Sequence, residues 1–349
     1  MTTLTILGAG VMGSAMTLPA ADRGMSVRLA GTHLDEAIVD SVKAGGRHPK
    51  LNVKLPEAIV AYRHHEIAAA IVGCDLVLLG VSSAGIGWAI DRLCETLTAP
   101  VPVLMITKGM KPEAASLKAL PDHVADELKT RTGLTLPIAA IGGPCIAGEL
   151  AVRRHTGTVI VAHDEALARR LCALFETAYY HPRPSTDVIG VEVCAAFKNF
   201  FAIAVGWAAG HIEMMPATDN KAFNHNAAAI LFDQAIVELL HIATALGGKP
   251  ESVWGMPGAG DLYVTCQAGR NSRLGNHLGR GLSYRQTKAG PMKGDTIEGA
   301  ELGLAAAASL RAMMQAGTLA RPRLPLTGAL LAALVEDTPL DIPWTEFQR

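Results

Sequence analysis

The first thirty residues constrain this chain more than any other part of it. Thr3-Leu4-Thr5-Ile6-Leu7 is β-rich and runs directly into Gly8-Ala9-Gly10-Val11-Met12-Gly13, after which small residues carry a helical pattern to about Asp22. A strand, then G-x-G-x-x-G, then a helix is the order in which a βαβ unit grips a dinucleotide. Gly8 permits the tight turn, Gly10 lets backbone approach a pyrophosphate, and Gly13 lets helix and strand pack closely. The helix N-terminus then faces the phosphates with unpaired N–H groups. Ser26–Ala30 reads as the second strand. The stretch Leu29-Ala30-Gly31-Thr32-His33-Leu34-Asp35 sets no carboxylate directly after that strand for ribose hydroxyls, and no arginine for a 2′-phosphate. Asp35 reads as the start of the next helix, and NAD and NADP both stay open as the cofactor.

The same alternation continues downstream. Asp75–Val81, Val101–Thr107, Leu136–Ile141 and Thr158–Ala162 are apolar runs of the kind that strands covered on both faces show. Helical patterns such as Glu165–Phe175 lie between them, which predicts a doubly wound parallel sheet. The character changes after about Val188. From Ile189 to Gly210 only Glu192, Lys198 and Asn199 are strongly polar, as in a helix buried in a domain core. Ala227–Leu246 and Leu302–Gln315 also read as helices, with no second βαβ unit. The expectation is an α/β, Rossmann-like domain over 1–188 and an all-α domain over 189–349.

Composition narrows the functions open to such a chain. Its 349 residues carry 31 Lys+Arg against 32 Asp+Glu, and half are apolar. That excludes low-complexity disorder and argues against a dedicated nucleic-acid binder, which needs a basic excess. Small anionic ligands need only a few placed cations. Six cysteines, at 74, 94, 145, 172, 194 and 266, form no C-x-x-C pair and no zinc-finger spacing. They read as reduced, mostly buried thiols with no metal role. The N-terminus enters its first strand without a signal-peptide core, so the expected location is cytoplasmic. The longest apolar stretch, Val193 to Val205, is broken by Lys198 and Asn199, which reads as a buried helix too short for a membrane span.

Four segments carry chemistry. Lys108 follows the strand Val101–Thr107, and Gly143-Pro144 follows Leu136–Ile141. Both belong at the carboxyl ends of strands, where open parallel sheets bind ligands. As a residue alone, Lys108 could equally be a solvated loop lysine. Lys198 shares its helix face with Val191, Cys194, Ala195, Phe201, Ala202 and Val205. An ammonium there must be paired, lose its proton or snorkel to the surface, and beside a nicotinamide it would suit acid/base work. Glu192 points elsewhere on the helix and is a poor partner for it. Asp261 ends a glycine-rich loop, Gly255 to Gly260, and as a bare residue reads as a helix cap. Arg270-Asn271 follows Gly269 and could grip a phosphate by charge-assisted hydrogen bonds.

Taken together, these segments resemble the soluble nicotinamide-dependent glycerol-3-phosphate dehydrogenases. The resemblance runs from Gly8 to about Leu331 through the blocks ITKGM (106–110), GGPCIAGELA (142–151), DVIGVEVCAAFKNFFAIAVG (187–206), GAGDLYVTC (258–266), GRNSRLG (269–275) and IEGAELG (297–303). It implies reversible hydride transfer between glycerol 3-phosphate and dihydroxyacetone phosphate. It implies Lys198 as general acid/base, with Asn199, Lys108 and Asp261 in the catalytic group. Lys108 and Arg270 would lower the Lys198 pKa, and Asp261 would oppose them. Lys108, Gly143, Cys145, Lys198, Asp261, Thr265, Arg270 and Asn271 fall at substrate positions. Gly8, Gly10, Val11, Met12, Gly13, Thr32, Lys108, Ala147, Arg270, Thr296 and Glu298 fall at cofactor positions. A homodimer comes with the same resemblance.

The chain departs from the family pattern at several points. Met12 stands where the family has Trp or Tyr, Val81-Ser82-Ser83 replaces Val-Pro-Ser, and Ile146-Ala147-Gly148-Glu149 replaces F-A-K-E. The stretch Gly210–Asn226 is longer than the usual link, and Ala228 stands where a basic residue is common. These departures bear on substrate identity more than on reaction type. A dehydrogenase of another phosphorylated polyol or hydroxyacid is the alternative, and a non-catalytic NAD(P)-binding sensor a more distant one.

Overall fold

The computed structural model describes residues 1–217, 222–267 and 269–347. The chain divides into two compact units. One consists of Met1–Lys108 and Leu120–Val188, the other of Gly109–Ala119 and the chain from Ile189 onward.

In chain order the strands are β1 (Thr3–Leu7), β2 (Ser26–Ala30), β3 (Val60–Tyr62), β4 (Leu76–Leu79), β5 (Val103–Met105), β6 (Met110–Pro112), β7 (Leu117–Ala119), β8 (Ile138–Gly142), β9 (Thr156–Val161) and β10 (Tyr180–Ser185). The first unit's helices are α1 (Val11–Ala15), α2 (Thr17–Asp22), α3 (Glu36–Lys43), α4 (Ile67–Ile71), α5 (Ile86–Thr96), α6 (Leu120–Thr132), α7 (Ala147–Leu150) and α8 (Glu165–Phe175). Its sheet has the order β10-β9-β8-β5-β4-β1-β2-β3. All four residues of β4 are buried, as expected of a central strand with both faces covered. The chain moves from β1 to β2 and β3 on one side, then returns to β4 on the other. That reversal opens a crevice at the carboxyl ends of β1 and β4, the place where such sheets bind ligands.

The sheet is parallel from β3 to β8, as expected of a doubly wound sheet, and departs from that pattern at its β9–β10 edge. β9 pairs antiparallel with β8, with Ala140 opposite Val161, and β10 then runs parallel to β9. The cause is the link after β8, whose only helix is the four-residue α7. Such a helix rises about 6 Å, against roughly 17 Å for a five-residue strand. It does not carry the chain back to the start of the sheet.

The second unit contains α9 (Val188–His211), α10 (His225–Ala245), α11 (Pro250–Trp254), α12 (Asp261–Gln267), α13 (Arg270–Gly279), α14 (Tyr284–Ala289), α15 (Glu298–Gln315) and α16 (Pro325–Leu331). Among the described residues it is helical apart from one hairpin, β6–β7, in which Met110 pairs with Ala119. Placing 109–119 in the N-terminal domain is therefore corrected. Met110 and Leu117 are buried in the second unit's core, and the Ser309 hydroxyl of α15 donates to the Glu113 carbonyl. By length and composition α9 and α10 would each suffice to cross a membrane, although the apolar stretch Val193 to Val205 taken alone reads as too short. The most apolar window of α9 is 89% buried within the protein, and Phe197, Phe200 and Phe201 from this helix form an aromatic cluster in the core.

Two features fix the helices of this unit. Gly206 and Gly210 of α9 meet Gly275 and Gly279 of α13 so closely that a Cβ on Gly210 would lie 1.9 Å from the Asn276 carbonyl oxygen. A Cβ on Gly275 would likewise lie 1.9 Å from the Ile203 carbonyl oxygen, so the two backbones touch directly. Elsewhere the buried Glu238 of α10 accepts the Leu326 and Thr327 N–H groups, each at 2.7 Å, and caps α16. It also accepts from the Thr327 hydroxyl at 2.6 Å and the Gln234 amide at 2.8 Å. Burial nevertheless outweighs these bonds and pushes the Glu238 carboxyl up to about 7.

Candidate active site

The turn after β1 has the geometry a pyrophosphate requires. Gly8 has φ +109°, and a Cβ there would lie 2.8 Å from the Gly80 carbonyl at the end of β4. A Cβ on Gly13 would lie 2.2 Å from the Gly8 carbonyl oxygen. Gly10 is different, for nothing lies within 4 Å of its would-be Cβ. Two of the glycines thus let backbones meet, while the middle one faces open space at the start of α1 where a phosphate could approach. Val11 is exposed and Met12 half-buried at the same helix end.

The other first-unit residues lie mostly just past strand ends: Lys108 after β5, Gly143 and Cys145 after β8 and Thr32 after β2, with Ala147 opening α7. Lys108 donates from Nζ to the Gly143 carbonyl at 3.2 Å. Gly143 has φ +109°, a conformation that favours glycine. The Cys145 thiol lies 3.9 Å from the Met12 sulfur, and Ala147 is buried at the start of α7. Thr32 gives its N–H and its hydroxyl to Asp35 Oδ2, each at 2.9 Å.

The second unit holds the remaining set. Lys198, from α9, is 7% exposed and donates to Asp261 Oδ1, itself 2% exposed. A wide π-type turn, Met256–Gly260, delivers Asp261 to the first turn of α12. Asp261 is more than a helix cap, because its carboxylate meets a buried ammonium. The Thr265 hydroxyl donates to the Asp261 carbonyl at 2.6 Å, which commits its proton to its own helix. Burial pushes the neighbouring Cys266 thiol up to about 12, against the pull of the Lys198 charge. Asn199 donates to Glu298 at 3.1 Å and accepts from Asn271 at 3.0 Å. Arg270 is exposed, 3.9 Å from Glu298, and Thr296 is exposed just before α15.

Comparison with known proteins settles the lineage. Residues 3–168 match the N-terminal model of NAD-dependent glycerol-3-phosphate dehydrogenase, and residues 187–342 match its C-terminal model. The chain is 35% identical over 283 residues to an NADP(+)-dependent glycerol-3-phosphate dehydrogenase of Archaeoglobus fulgidus, covering 80% of this chain and 81% of that one. It belongs to the NAD-dependent glycerol-3-phosphate dehydrogenase family. A second family member, the glycerol-3-phosphate dehydrogenase [NAD(P)+] of Caulobacter vibrioides, is 31% identical over 334 residues, covering 95% of this chain and 92% of that one. The crystal structure of glycerol-3-phosphate dehydrogenase from Coxiella burnetii superposes with a TM-score of 0.77 at 27% identity, over 99% of this chain and 98% of that one.

Within this family member, the sequence leaves His48 unremarked and does not give the partners of Asp35 and Glu192. Asp35 does sit at the start of α3, but its carboxylate turns back to Thr32 and to the Ala9 N–H at 3.2 Å. His48 reaches the Ala9 carbonyl at 3.2 Å. Glu192, expected to be no partner for Lys198, accepts the Gly109 N–H at 3.1 Å. Asp35 left a signal as an acid soon after β2, and Glu192 as an acid in an apolar helix; His48 left none. Among the described residues no group of three or more His, Cys, Asp or Glu could hold a metal ion.

Proposed function

We propose that this chain interconverts glycerol 3-phosphate and dihydroxyacetone phosphate with an NAD(P) coenzyme, and that Lys198 is its general acid/base. The observation that carries the reading is a buried ammonium against a buried carboxylate, Lys198 with Asp261, in a member of this family. A buried ion pair is a weak source of stability, since well-packed apolar side chains of similar volume often serve as well. A coenzyme held at the glycine turn would supply the hydride chemistry at the substrate carbon. In reduction Lys198 delivers its proton to the ketone oxygen as charge develops there. In oxidation neutral Lys198 takes the hydroxyl proton.

Asp261 holds the ammonium in place and offsets the cost of burying it. Among the described residues the exposed Arg270 guanidinium has one contact, a long one to Glu298, and it would take the substrate phosphate in a charge-assisted pair. Asn199 and Asn271 orient the substrate end of the site, with Lys108, Gly143, Cys145 and Thr265 as further substrate residues. Gly8, Gly10, Val11, Met12, Gly13, Thr32, Ala147, Thr296 and Glu298 serve the coenzyme, with Lys108 and Arg270 shared. A cytoplasmic homodimer completes the reading, and sedimentation velocity tests its second part.

The decisive experiment is a steady-state screen of NADH and NADPH oxidation against dihydroxyacetone phosphate, dihydroxyacetone and larger keto-phosphates. Efficient turnover of the three-carbon phosphate is expected. Preference for a larger phosphate overturns the substrate, and coenzyme binding without oxidation overturns the enzyme.

A further inference from the structure

The peptide units around Ala9 are held from both sides, by Ser14 of the following helix and by two groups, Asp35 and His48, that belong to neither that helix nor the glycine motif. The Ala9 N–H donates to Asp35 Oδ2 at 3.2 Å. The Ala9 carbonyl accepts from the Ser14 hydroxyl at 3.0 Å and lies 3.2 Å from His48 Nε2. Ala9, Ser14 and His48 are fully buried and Asp35 is 8% exposed. The ring state of His48 follows from its other nitrogen. Nδ1 lies 3.2 Å from the Lys50 N–H and 3.1 Å from the Leu51 N–H, both donors, so Nδ1 accepts and the proton sits on Nε2, facing the Ala9 carbonyl.

We propose that His48 and Asp35 are positioning residues for the coenzyme: they clamp Ala9 and so hold the Gly8–Gly10 turn in the conformation that receives the dinucleotide. The inference rests on the reading of this turn as the coenzyme site. A trans peptide carries its C=O and the next N–H on opposite edges of one plane. With the Ala9 carbonyl drawn inward by His48 and Ser14, the Gly10 N–H is turned the other way. Gly10 is the glycine whose would-be Cβ meets nothing. Released from the clamp, that peptide could rotate and withdraw its N–H from an incoming phosphate.

Asp35 contributes in a second way. Its Oδ2 accepts from Ala9 and twice from Thr32, so the acid after β2 is spent on the protein's own backbone and hydroxyl. The clamp also has a preferred charge state. Burial holds the His48 pKa below its ordinary value, Lys50 pushes the same way, and Asp35 and the backbone bonds push against them. Adding a proton at Nδ1 would turn an N–H toward two N–H donors, so the neutral ring is the working form.

Two substitutions separate the roles of the ring nitrogens. Asparagine places its oxygen near Nδ1 and keeps the bonds to Lys50 and Leu51, but falls short of Ala9. Glutamine places its amide nitrogen near Nε2 and keeps the donor to Ala9. Fluorescence titration of each variant with NADH and with NADPH reads coenzyme affinity directly. His48→Asn is expected to weaken both about tenfold, equivalent to roughly 1.4 kcal/mol, with kcat at saturating coenzyme and KM for dihydroxyacetone phosphate near wild type. His48→Gln should recover most of the affinity. Gly10→Val is the control, expected to abolish coenzyme binding. If Gly10→Val abolishes binding while His48→Asn binds as wild type, the clamp is wrong and the turn assignment stands. If Gly10→Val still binds, the turn assignment itself has failed. Should His48→Asn not fold, Ser14→Ala decides, since it removes another donor to the same carbonyl. A severalfold loss of affinity supports the clamp, and unchanged affinity overturns it.

Discussion

Asn271 donates from Nδ2 to Asn199 Oδ1 over 3.0 Å, and this bond settles which way both amides face. Asn271 Oδ1 accepts the Gly299 N–H at 2.9 Å, and Asn199 Nδ2 donates to Glu298 at 3.1 Å. Every donor in the chain runs in one direction, from the α15 backbone back to the α15 carboxylate. Asn271→Asp should break it, because an oxygen would replace the donor and face Asn199 Oδ1. If Asn199 then turned, its own oxygen would meet Glu298. A loss of about 1–3 kcal/mol is expected for groups left unsatisfied, read from denaturant midpoints, with a raised KM for dihydroxyacetone phosphate. A variant matching wild type in both would show that amide orientation there is immaterial.

Lys198→Ala should cut kcat by about 10²–10⁴, the usual worth of a general acid/base. NADH and NADPH affinity should hold, because Lys198 is assigned to proton transfer and is not among the residues assigned to the coenzyme. The variant leaves Asp261 buried without its ammonium partner, so thermal unfolding should be followed in parallel. Retention of most of kcat by a folded variant would remove Lys198 from the mechanism.

Arg270→Ala should raise KM for dihydroxyacetone phosphate roughly ten- to hundredfold, since hydrogen bonds to charged groups are worth about 1.5–3 kcal/mol. Dihydroxyacetone, which lacks the phosphate, should be affected much less. Lysine at this position should restore only part of the loss, for it lacks the planar fork. Equal losses on both ketones would show that the phosphate is held elsewhere.

Glu238 gives a pH signature unrelated to catalysis. Its carboxyl ordinarily titrates near 4.5 and in the fold is pushed up to about 7. The folded state therefore keeps this proton longer than the unfolded chain does. The contribution to stability is full below pH 4.5 and is lost as pH rises toward 7, in all roughly 3 kcal/mol at 1.36 kcal/mol per pKa unit. His48, with its lowered pKa, acts in the opposite direction as pH falls. The test is the difference in unfolding free energy between wild type and Glu238→Gln from pH 4 to 8. Glutamine should be less stable at acid pH, since its amide NH₂ meets donors where an oxygen accepted them. The gap should narrow as pH rises. A gap independent of pH would show that Glu238 does not titrate in this window.

Much of this was legible in the sequence for reasons of spacing. Local order made the β1 turn readable, because strand, glycines and helix are adjacent in the chain. Lys198 stood out because an ammonium on an apolar helix face demands an explanation, though the carboxylate that answers it is sixty-three residues away. The direction of β9 was not legible, since alternation identifies a strand but not the way it runs. Nor was the allegiance of Met110 and Leu117, which are apolar enough for either core. His48 and Asp35 act on a peptide far from them in sequence, through single hydrogen bonds that leave no periodicity.

The bare contact between α9 and α13 has a consequence for how the site can vary. Most paired residues keep their spacing through side chains, which hop between rotamers and can be exchanged for others of similar bulk. Here the separation of the helices bearing Asn199 and Asn271 is set by main-chain atoms at Gly206, Gly210, Gly275 and Gly279, which have no rotamers to exchange. The register works like a machined stop: it drifts little with temperature, and it leaves descendants of this chain almost no small steps by which to retune it.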